Sequence, residues 1–397
     1  MSNELNQDSG RDSGRAEDGP SAHGALVVGL DAGGTRTRAV LASAADGRPL
    51  GEGVAGPGNA LTVPVPQLTE HLVEALALAV PVAARPRVTA VAGGFAGAAG
   101  TADEPGRVNA LTALREALRR LGIPAADGIR ICSDIEAAFA AAPDTPADGL
   151  ALVAGTGAVA MRITARHCEK TVGGDGWLLG DDGGGFWIGR EAVRAALRMA
   201  DHRGPDTALA ALVGRELGVP EAVLSFEGGV LGSGRREALP YGDKAPASQS
   251  KAPASESKAS AYEGEGGARQ PWPRGAREAY RRYVLPAVMG EPPVRLARLA
   301  PLVAEAARAG DALARAILDE AAGHLADCVR ALEPTPGESL VATGGLLGPD
   351  GPLTAPLDRR LTALGLTAHW VPDGSRGAVA LARLAQGPTP PHPEKNQ

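Results

Sequence analysis

Twice along this chain an apolar run breaks at a glycine–threonine turn and resumes as a second apolar run. The first passage is "ALVVGLDAGGTRTRAVLAS", turning at Gly33, Gly34 and Thr35; the second is "LALVAGTGAVAMRIT", turning at Gly155, Thr156 and Gly157. Apolar runs of this length on either side of a short glycine turn read as β-hairpins. Backbone amides in such a turn form a concave nest for phosphate oxygens, to which the hydroxyls of Thr35, Thr37 and Thr156 could add. One such turn is weak evidence. A pair, each opening a similar stretch of chain, is what gripping a polyphosphate from two sides requires.

The first hairpin is followed by an "ADG" turn at 45–47 and a third strand. Hydrophobic periodicity then predicts a helix over 67–84, a strand at 88–92 and a helix over 107–121. The short strand "IRICSD" and the helix "IEAAFAAA" close this half. Three strands followed by alternating helices and strands is the ribonuclease-H-like layout of actin-like and hexokinase-like ATPases. The pattern restarts at "GLALVAGTGAVAMRITARHCEKTVGGDGW", and a further apolar strand, "SLVATGG", comes at 339–345. The expectation is an α/β fold of two ribonuclease-H-like lobes, 25–146 and 147–373, with the ligand cleft between them. The last helix, 374–387, should pack back on the first lobe. Residues 1–24 and 388–397 read as disordered tails. A stretch at about 228–275, with the tandem heptapeptides "KAPASQS" and "KAPASES", reads as a flexible insertion, since its prolines forbid a coiled coil.

At 397 residues the chain can hold two domains, and 44% hydrophobic content fits a globular protein. A net charge of −6 argues against a nucleic-acid partner. No apolar stretch spans a bilayer and no signal peptide is evident, so no membrane role and a cytoplasmic location are expected. Cys132, Cys168 and Cys328 are scattered and match no metal or disulfide spacing.

There is no Gly-Lys-Ser/Thr, so a lysine of the P-loop type does not neutralise any bound phosphate. Asp31, beside the first turn, is the expected Mg²⁺ ligand, through water. Arg36, Arg38 and Arg162 are candidate helpers. Asp134 ends one strand and opens a helix; it could cap that helix or reach a cleft as a general base. Ser133 is the other candidate cap, and Glu136 reads as solvated or structural. The densest motif is "GGDGWLLGDDGGGFWI", whose glycines let backbone approach a ligand and whose Asp181 and Asp182 could bind hydroxyls or metal.

These motifs make the resemblance specific. "LDAGGTRTR", "GPGNA", "SDIEAAFAA", "VAGTGAV", "GGDGWLLGDDGGGFWIGREAV" and "GSRGAVALARLA" occur in an order that resembles the N-acetylglucosamine kinases of the BadF/BadG/BcrA/BcrD ATPase family. The resemblance covers roughly 25–387 apart from the insertion. It implies ATP with Mg²⁺ as cofactors and an amino sugar as the small-molecule partner, and it allows a homodimer. It implies ATP phosphate contacts at Thr35 and Thr156, with Gly33, Gly34, Gly155 and Gly157 in the same turns. Asp134 would be the catalytic base. Asn59, Asp134, Gly174, Asp175, Gly176 and Asp181 would bind sugar, and Ala304, Gly344 and Gly345 would face adenosine. The implied activity is γ-phosphoryl transfer to the 6-hydroxyl of N-acetylglucosamine or a relative such as glucosamine or N-acetylmuramic acid. Asp175 stands where the family's common "GGWG" has an aromatic, and Asp182 where glutamate is frequent, which leaves the exact sugar open. The competing readings are an ATP-driven activator of a dehydratase or reductase and a non-catalytic sugar sensor.

Overall fold

The structure is a computed structural model and describes residues 24–124, 128–224 and 272–385. The chain forms two compact units, divided between Asp182 and Gly183 and again between Ala321 and Ala322. Both sheets belong to the first unit; the described part of 183–321 is helical.

In the first half, β1 (Leu26–Ala32), β2 (Thr37–Ser43) and β3 (Pro49–Ala55) run antiparallel, while β4 (Val88–Phe95) and β5 (Ile129–Ser133) join β1 in parallel. The sheet order is β3-β2-β1-β4-β5. The second half repeats this with β6 (Gly149–Ala154), β7 (Ala158–Thr164), β8 (His167–Gly173), β9 (Ser339–Thr343) and β10 (Thr367–Trp370), in the order β10-β9-β6-β7-β8. The chain therefore contains one topology twice, and the compact unit 183–321 is inserted between β8 and β9 of the second copy.

Helices α1 (Val65–Ala79) and α2 (Pro105–Leu121) cover one face of the first sheet, burying Leu68, Leu72, Leu76 and Leu114 against Val28, Leu30 and Phe95. The opposite face, with Val27, Ala90 and Ala92, receives α3 (Asp134–Phe139) and the last helix, which is numbered α11 below and spans Ser375–Leu384. The other side of α3, with Ile135, Ala138 and Phe139, packs on Met161, Ile163 and Val341 of the second sheet. Thus α3 lies between the two sheets.

Two expectations need correction. The helix predicted over 67–84 stops at Ala79, because Pro81 lacks an amide and pushes the preceding Val80 into extended backbone. The strand β10 was not predicted, since "TAHW" is a short edge strand with three exposed positions and no apolar alternation. Most of the predicted insertion at 228–275 lies outside the described residues, as do 1–23 and 388–397. Its last residues, 272–275, are described: Trp272 stands edge-on to Tyr280 with ring centroids 5.1 Å apart, and α7 (Arg274–Met289) begins there.

Within the inserted unit, α4 (Gly185–Ala200), α5 (Leu209–Glu216), α6 (Glu221–Leu224), α7, α8 (Ala300–Arg308) and the start of α9 (Ala312–Arg330) supply the helices. The Tyr280 hydroxyl is buried and donates to the Ala210 carbonyl at 2.8 Å, satisfying the one polar atom of that ring. In the first unit, α10 (Thr354–Ala363) links β9 to β10.

The seat of α11 is a backbone-on-backbone contact. A Cβ on Gly29 of β1 would fall 2.6 Å from the Ser375 carbonyl and 2.5 Å from the Val379 amide, and one on Gly377 would fall 1.8 Å from the Ala137 carbonyl of α3. A methyl at either point must displace main chain. Gly29→Ala should lower the free energy of unfolding by roughly 1–3 kcal/mol, the usual cost of overpacking a core. Denaturant titration checks this, and a variant as stable as the parent would mean α11 is not held by that contact.

Candidate functional site

Local sequence decides what Asp134 is free to do. Ser133 takes the N-cap of α3: its Oγ accepts from the Glu136 amide at 3.1 Å, and Glu136 Oε2 accepts from the Ser133 amide at 2.7 Å. This reciprocal capping box leaves Asp134 one position inside the helix, with no capping duty. Its Oδ1 accepts from the adjacent Ile135 amide at 3.1 Å, and its own amide also holds the carboxylate. Burial pushes its carboxyl up from the usual range. Glu136 is structural, and its other oxygen accepts from the Cys168 amide at 2.9 Å.

Asp31 lies near the end of β1, directly across the antiparallel ladder from Arg38. Its carboxyl is pushed up to about 7, first by burial and then by the neighbouring carboxylates of Asp373 and Asp134; the Gly374 amide, which donates to it, and Arg38 pull the other way. Asp373 sits between β10 and α11. It accepts from Arg38 Nη1 in an ion pair and from the Ser375 amide at 2.9 Å. Asp31, Asp134 and Asp373 line one cavity of about 590 Å³, together with Gly33, Arg36, Gly344 and Gly345. Trp370 and Ile135 add apolar wall.

Three glycine turns border this region. In the first, the Gly33 amide donates to the Arg36 carbonyl at 2.9 Å, and Gly34 and Thr35 are exposed. Thr37 does not share that exposure: it is fully buried and its hydroxyl has no partner, so it cannot meet a phosphate. Strand alternation turns it inward while its neighbour Arg38 faces Asp31. In the second turn the Gly155 amide donates to the Gly157 carbonyl at 2.9 Å and Thr156 is exposed. The third, at Gly344 and Gly345, abuts the second: the Leu346 amide donates to the Ala154 carbonyl at 3.1 Å, and a Cβ on Gly344 would sit 2.2 Å from that oxygen.

The expected sugar residues divide. Asn59 Oδ1 accepts from the amides of Leu61 and Thr62 at 2.9 and 3.1 Å, an Asx turn that commits its oxygen and not its Nδ2. Asp181, at a left-handed φ of 58°, accepts from the Ala158 amide at 3.2 Å. It therefore braces the second glycine turn, and burial followed by Asp175 and Asp182 raises its carboxyl. Gly174 and Gly176 hold φ of 76° and 81°, and the Gly174 amide donates to the Ala158 carbonyl at 2.9 Å. Ala304 is half-buried on α8 of the inserted unit. Of the candidate arginines, Arg162 pairs with Glu338 at 2.6 Å and donates to the Leu332 carbonyl, so it is structural. Arg38 is committed to Asp373, and Arg36 alone stays exposed on the cavity.

The family model of the BadF/BadG/BcrA/BcrD ATPases matches residues 28–355. The chain belongs to this family. An N-acetylmuramic acid/N-acetylglucosamine kinase of Clostridium acetobutylicum is 29% identical over 185 residues, 46% of this chain and 57% of that one. The chain thus spans little more than half the length of that curated relative. Among solved structures, a proposed N-acetylglucosamine kinase from Chromobacterium violaceum aligns with a TM-score of 0.56 at 20% identity, covering 90% of this chain and 99% of that one. Another from Porphyromonas gingivalis aligns at 0.55 and 17% identity, covering 91% and 99%. At these identities the likeness speaks for the fold, and the two repeated sheets are the two lobes of the actin-like ATPase architecture.

In this member of the family, sequence reasoning missed Asp373. The signal was present: "CSDIEA" after β5 and "VPDGSRGA" after β10 are the same strand–Asp–helix junction in the two repeats. The acid cluster also fits the expected cation in kind. Mg²⁺ takes hard oxygen ligands and keeps several waters. Among the described residues no three His, Cys, Asp or Glu converge enough to hold an ion unaided, so phosphate and water would complete the shell.

The shift at Asp31 has a direction in stability. The folded chain binds this proton more tightly than the unfolded one, so the contribution is full below about pH 4 and is lost as pH rises through about 7. In chelator-treated protein, Asp31→Asn should flatten that fall in unfolding free energy between pH 4 and 7. Parallel profiles for parent and variant would show that Asp31 titrates normally.

Proposed function

We propose that this chain is an ATP-dependent amino-sugar kinase, transferring the γ-phosphoryl group of ATP to the 6-hydroxyl of N-acetylglucosamine or a close relative. The observation that carries this reading is Asp134. The capping box at Ser133 and Glu136 relieves it of any structural task, and it faces a cavity that also holds Asp31 and two glycine turns. Membership of an ATPase family and the kinase relatives support the same conclusion. Cys132 is buried inside β5, where its thiol donates to the Gly93 carbonyl at 3.6 Å, which favours a kinase over an activator needing accessible cysteine ligands.

The chemistry follows from the residues. Asp134 accepts the proton of the attacking sugar hydroxyl, and its raised carboxyl makes it a better base than a solvated one. The exposed amides and hydroxyls at Gly34, Thr35 and Thr156 hold phosphate oxygens, and Arg36 is the nearest free cation of the cavity wall. Asp31 would hold Mg²⁺, through water, and the ion would supply charge stabilisation at the transferring phosphoryl group. The Asn59 amide donates to a sugar hydroxyl while its oxygen fixes the turn.

The test is ADP release with N-acetylglucosamine, N-acetylmuramic acid, glucosamine and glucose. Turnover on one or more amino sugars is expected, and none on any would overturn the reading in favour of a sensor or an activator. Asp134→Asn should lose roughly 10²-fold or more in kcat while sugar affinity stays within a few-fold, because only the proton acceptor is removed. Retention of more than about a tenth of kcat would reduce Asp134 to a helix residue.

The two sugar candidates should also separate kinetically. Asn59→Asp keeps the oxygen of the Asx turn and loses the Nδ2 donor, so the sugar KM should rise about tenfold with the ATP KM unchanged. Asp181→Ala should raise both KM values, because the lost acceptor also frees the Gly155–Gly157 turn. An effect of Asp181→Ala on the sugar alone would place it in the pocket rather than behind the turn.

A further inference from the structure

We propose that Asp373 is a positioning residue that holds the Arg38 guanidinium away from Asp31 and so keeps the Asp31 carboxylate available to a divalent cation. This rests on the reading of Asp31 as the cation-side carboxylate given above.

The geometry carries the argument. Arg38 and Asp31 are directly opposed on neighbouring antiparallel strands, so their side chains leave the same face of the sheet. Left to itself, such a pair would close into an ion pair on the sheet surface. Here it does not: Arg38 Nη1 donates to Asp373 instead, and Asp31 accepts from the Gly374 amide. Asp373 is itself tied by the Ser375 amide at 2.9 Å, so α11 fixes both the carboxylate that captures Arg38 and the amide that steadies Asp31. The guanidinium is held at one end only, since its Nε has no partner among the described residues. It also has room to turn, because Arg38 and Asp373 border a second cavity of about 460 Å³. With Asp373 neutral, the carboxylates left near Arg38 are Asp31, directly across the ladder, and Glu52, exposed beside the second cavity.

The proposal predicts an unusual pattern: removing a carboxylate weakens cation binding, and removing an arginine as well restores it. Binding of Mn²⁺ by electron paramagnetic resonance, and of ADP by calorimetry with Mg²⁺ or with EDTA, can be measured on the full chain without any sugar. Asp373→Asn should weaken Mn²⁺ binding and Mg²⁺-dependent ADP binding about tenfold, with ADP binding in EDTA changed less than about twofold. Asp373→Asn with Arg38→Gln should return Mn²⁺ affinity to within about threefold of the parent, even though this double variant lacks the ion pair altogether. Arg38→Gln alone should bind Mn²⁺ as tightly as the parent or more so.

Unaltered Mn²⁺ affinity in Asp373→Asn, with cation dependence in the parent, would overturn the positioning role alone. A double variant as weak as Asp373→Asn would overturn it too, showing that the residue matters only for seating α11. A parent whose ADP binding ignores divalent cations would overturn the cation reading of Asp31 and this proposal with it.

Discussion

The close crossing of α3 and α11 is the constraint from which the site follows. Both helices leave the C-terminal ends of equivalent strands, β5 and β10, and meet where Gly377 lies against the Ala137 carbonyl. At that separation a side chain cannot intervene, so the first residues of the two helices are set by main-chain contact rather than by adjustable side-chain packing. Gly29 extends the same contact to β1, the strand that carries Asp31. Asp31, Asp134 and Asp373 are therefore fixed relative to one another by three backbones that touch. That suits chemistry in which an error of about 1 Å in placement is expensive.

Such a cluster is costly to fold. Burial penalises the charged forms of Asp31 and Asp134, and Asp31 is raised further by the carboxylates of Asp373 and Asp134, so both hold protons more tightly than usual. The chain offsets this with few groups: the Arg38 guanidinium, the Gly374 amide and the Ile135 amide. Asp373 has the Arg38 guanidinium as counter-charge, whereas Asp31 and Asp134 have no ion-pair partner among the described residues. A site left short of positive charge by its own residues is matched to a ligand that brings it, and the glycine turns beside it are matched to the anion that accompanies such a cation.

Much of this was legible in the sequence because it is local. The hairpins at Gly33–Thr35 and Gly155–Gly157, and the strand–Ser–Asp–helix junction at Asp134, depend on residues within a few positions of one another, and glycine, β-branched and capping residues announce them. What was not legible depends on distant partners. Thr37 reads like Thr35 until β3 and the following loop enclose it. Asp181 reads as a pocket carboxylate, and no local pattern announces its bond to the Ala158 amide across the second turn. Helix α1 was extended past Pro81 because apolar periodicity continues through it, and a proline's missing amide outweighs periodicity. Asp373 was hidden because its partner Arg38 lies 335 residues earlier in the chain.

The duplication makes the last contrast physical. The same junction appears twice, and each copy delivers an aspartate beside Asp31, but the neighbours assign them different tasks. After β5, Ser133 and Glu136 satisfy the helix start, so Asp134 is left without a strong partner. After β10, no serine precedes the aspartate; Pro372 stands there, and Asp373 must itself accept the Ser375 amide. Asp373 has one oxygen on a helix amide and the other on a guanidinium, so its position is fixed from both sides. Asp134 is buried, and the bonds its carboxylate accepts come from the main-chain amides of its own residue and the next, which is the setting on which its proposed role as base rests. Within one repeated junction, the residue before the aspartate, Ser133 in one copy and Pro372 in the other, thus goes with two different sets of partners, and it is on that difference that the roles proposed for the two acids rest.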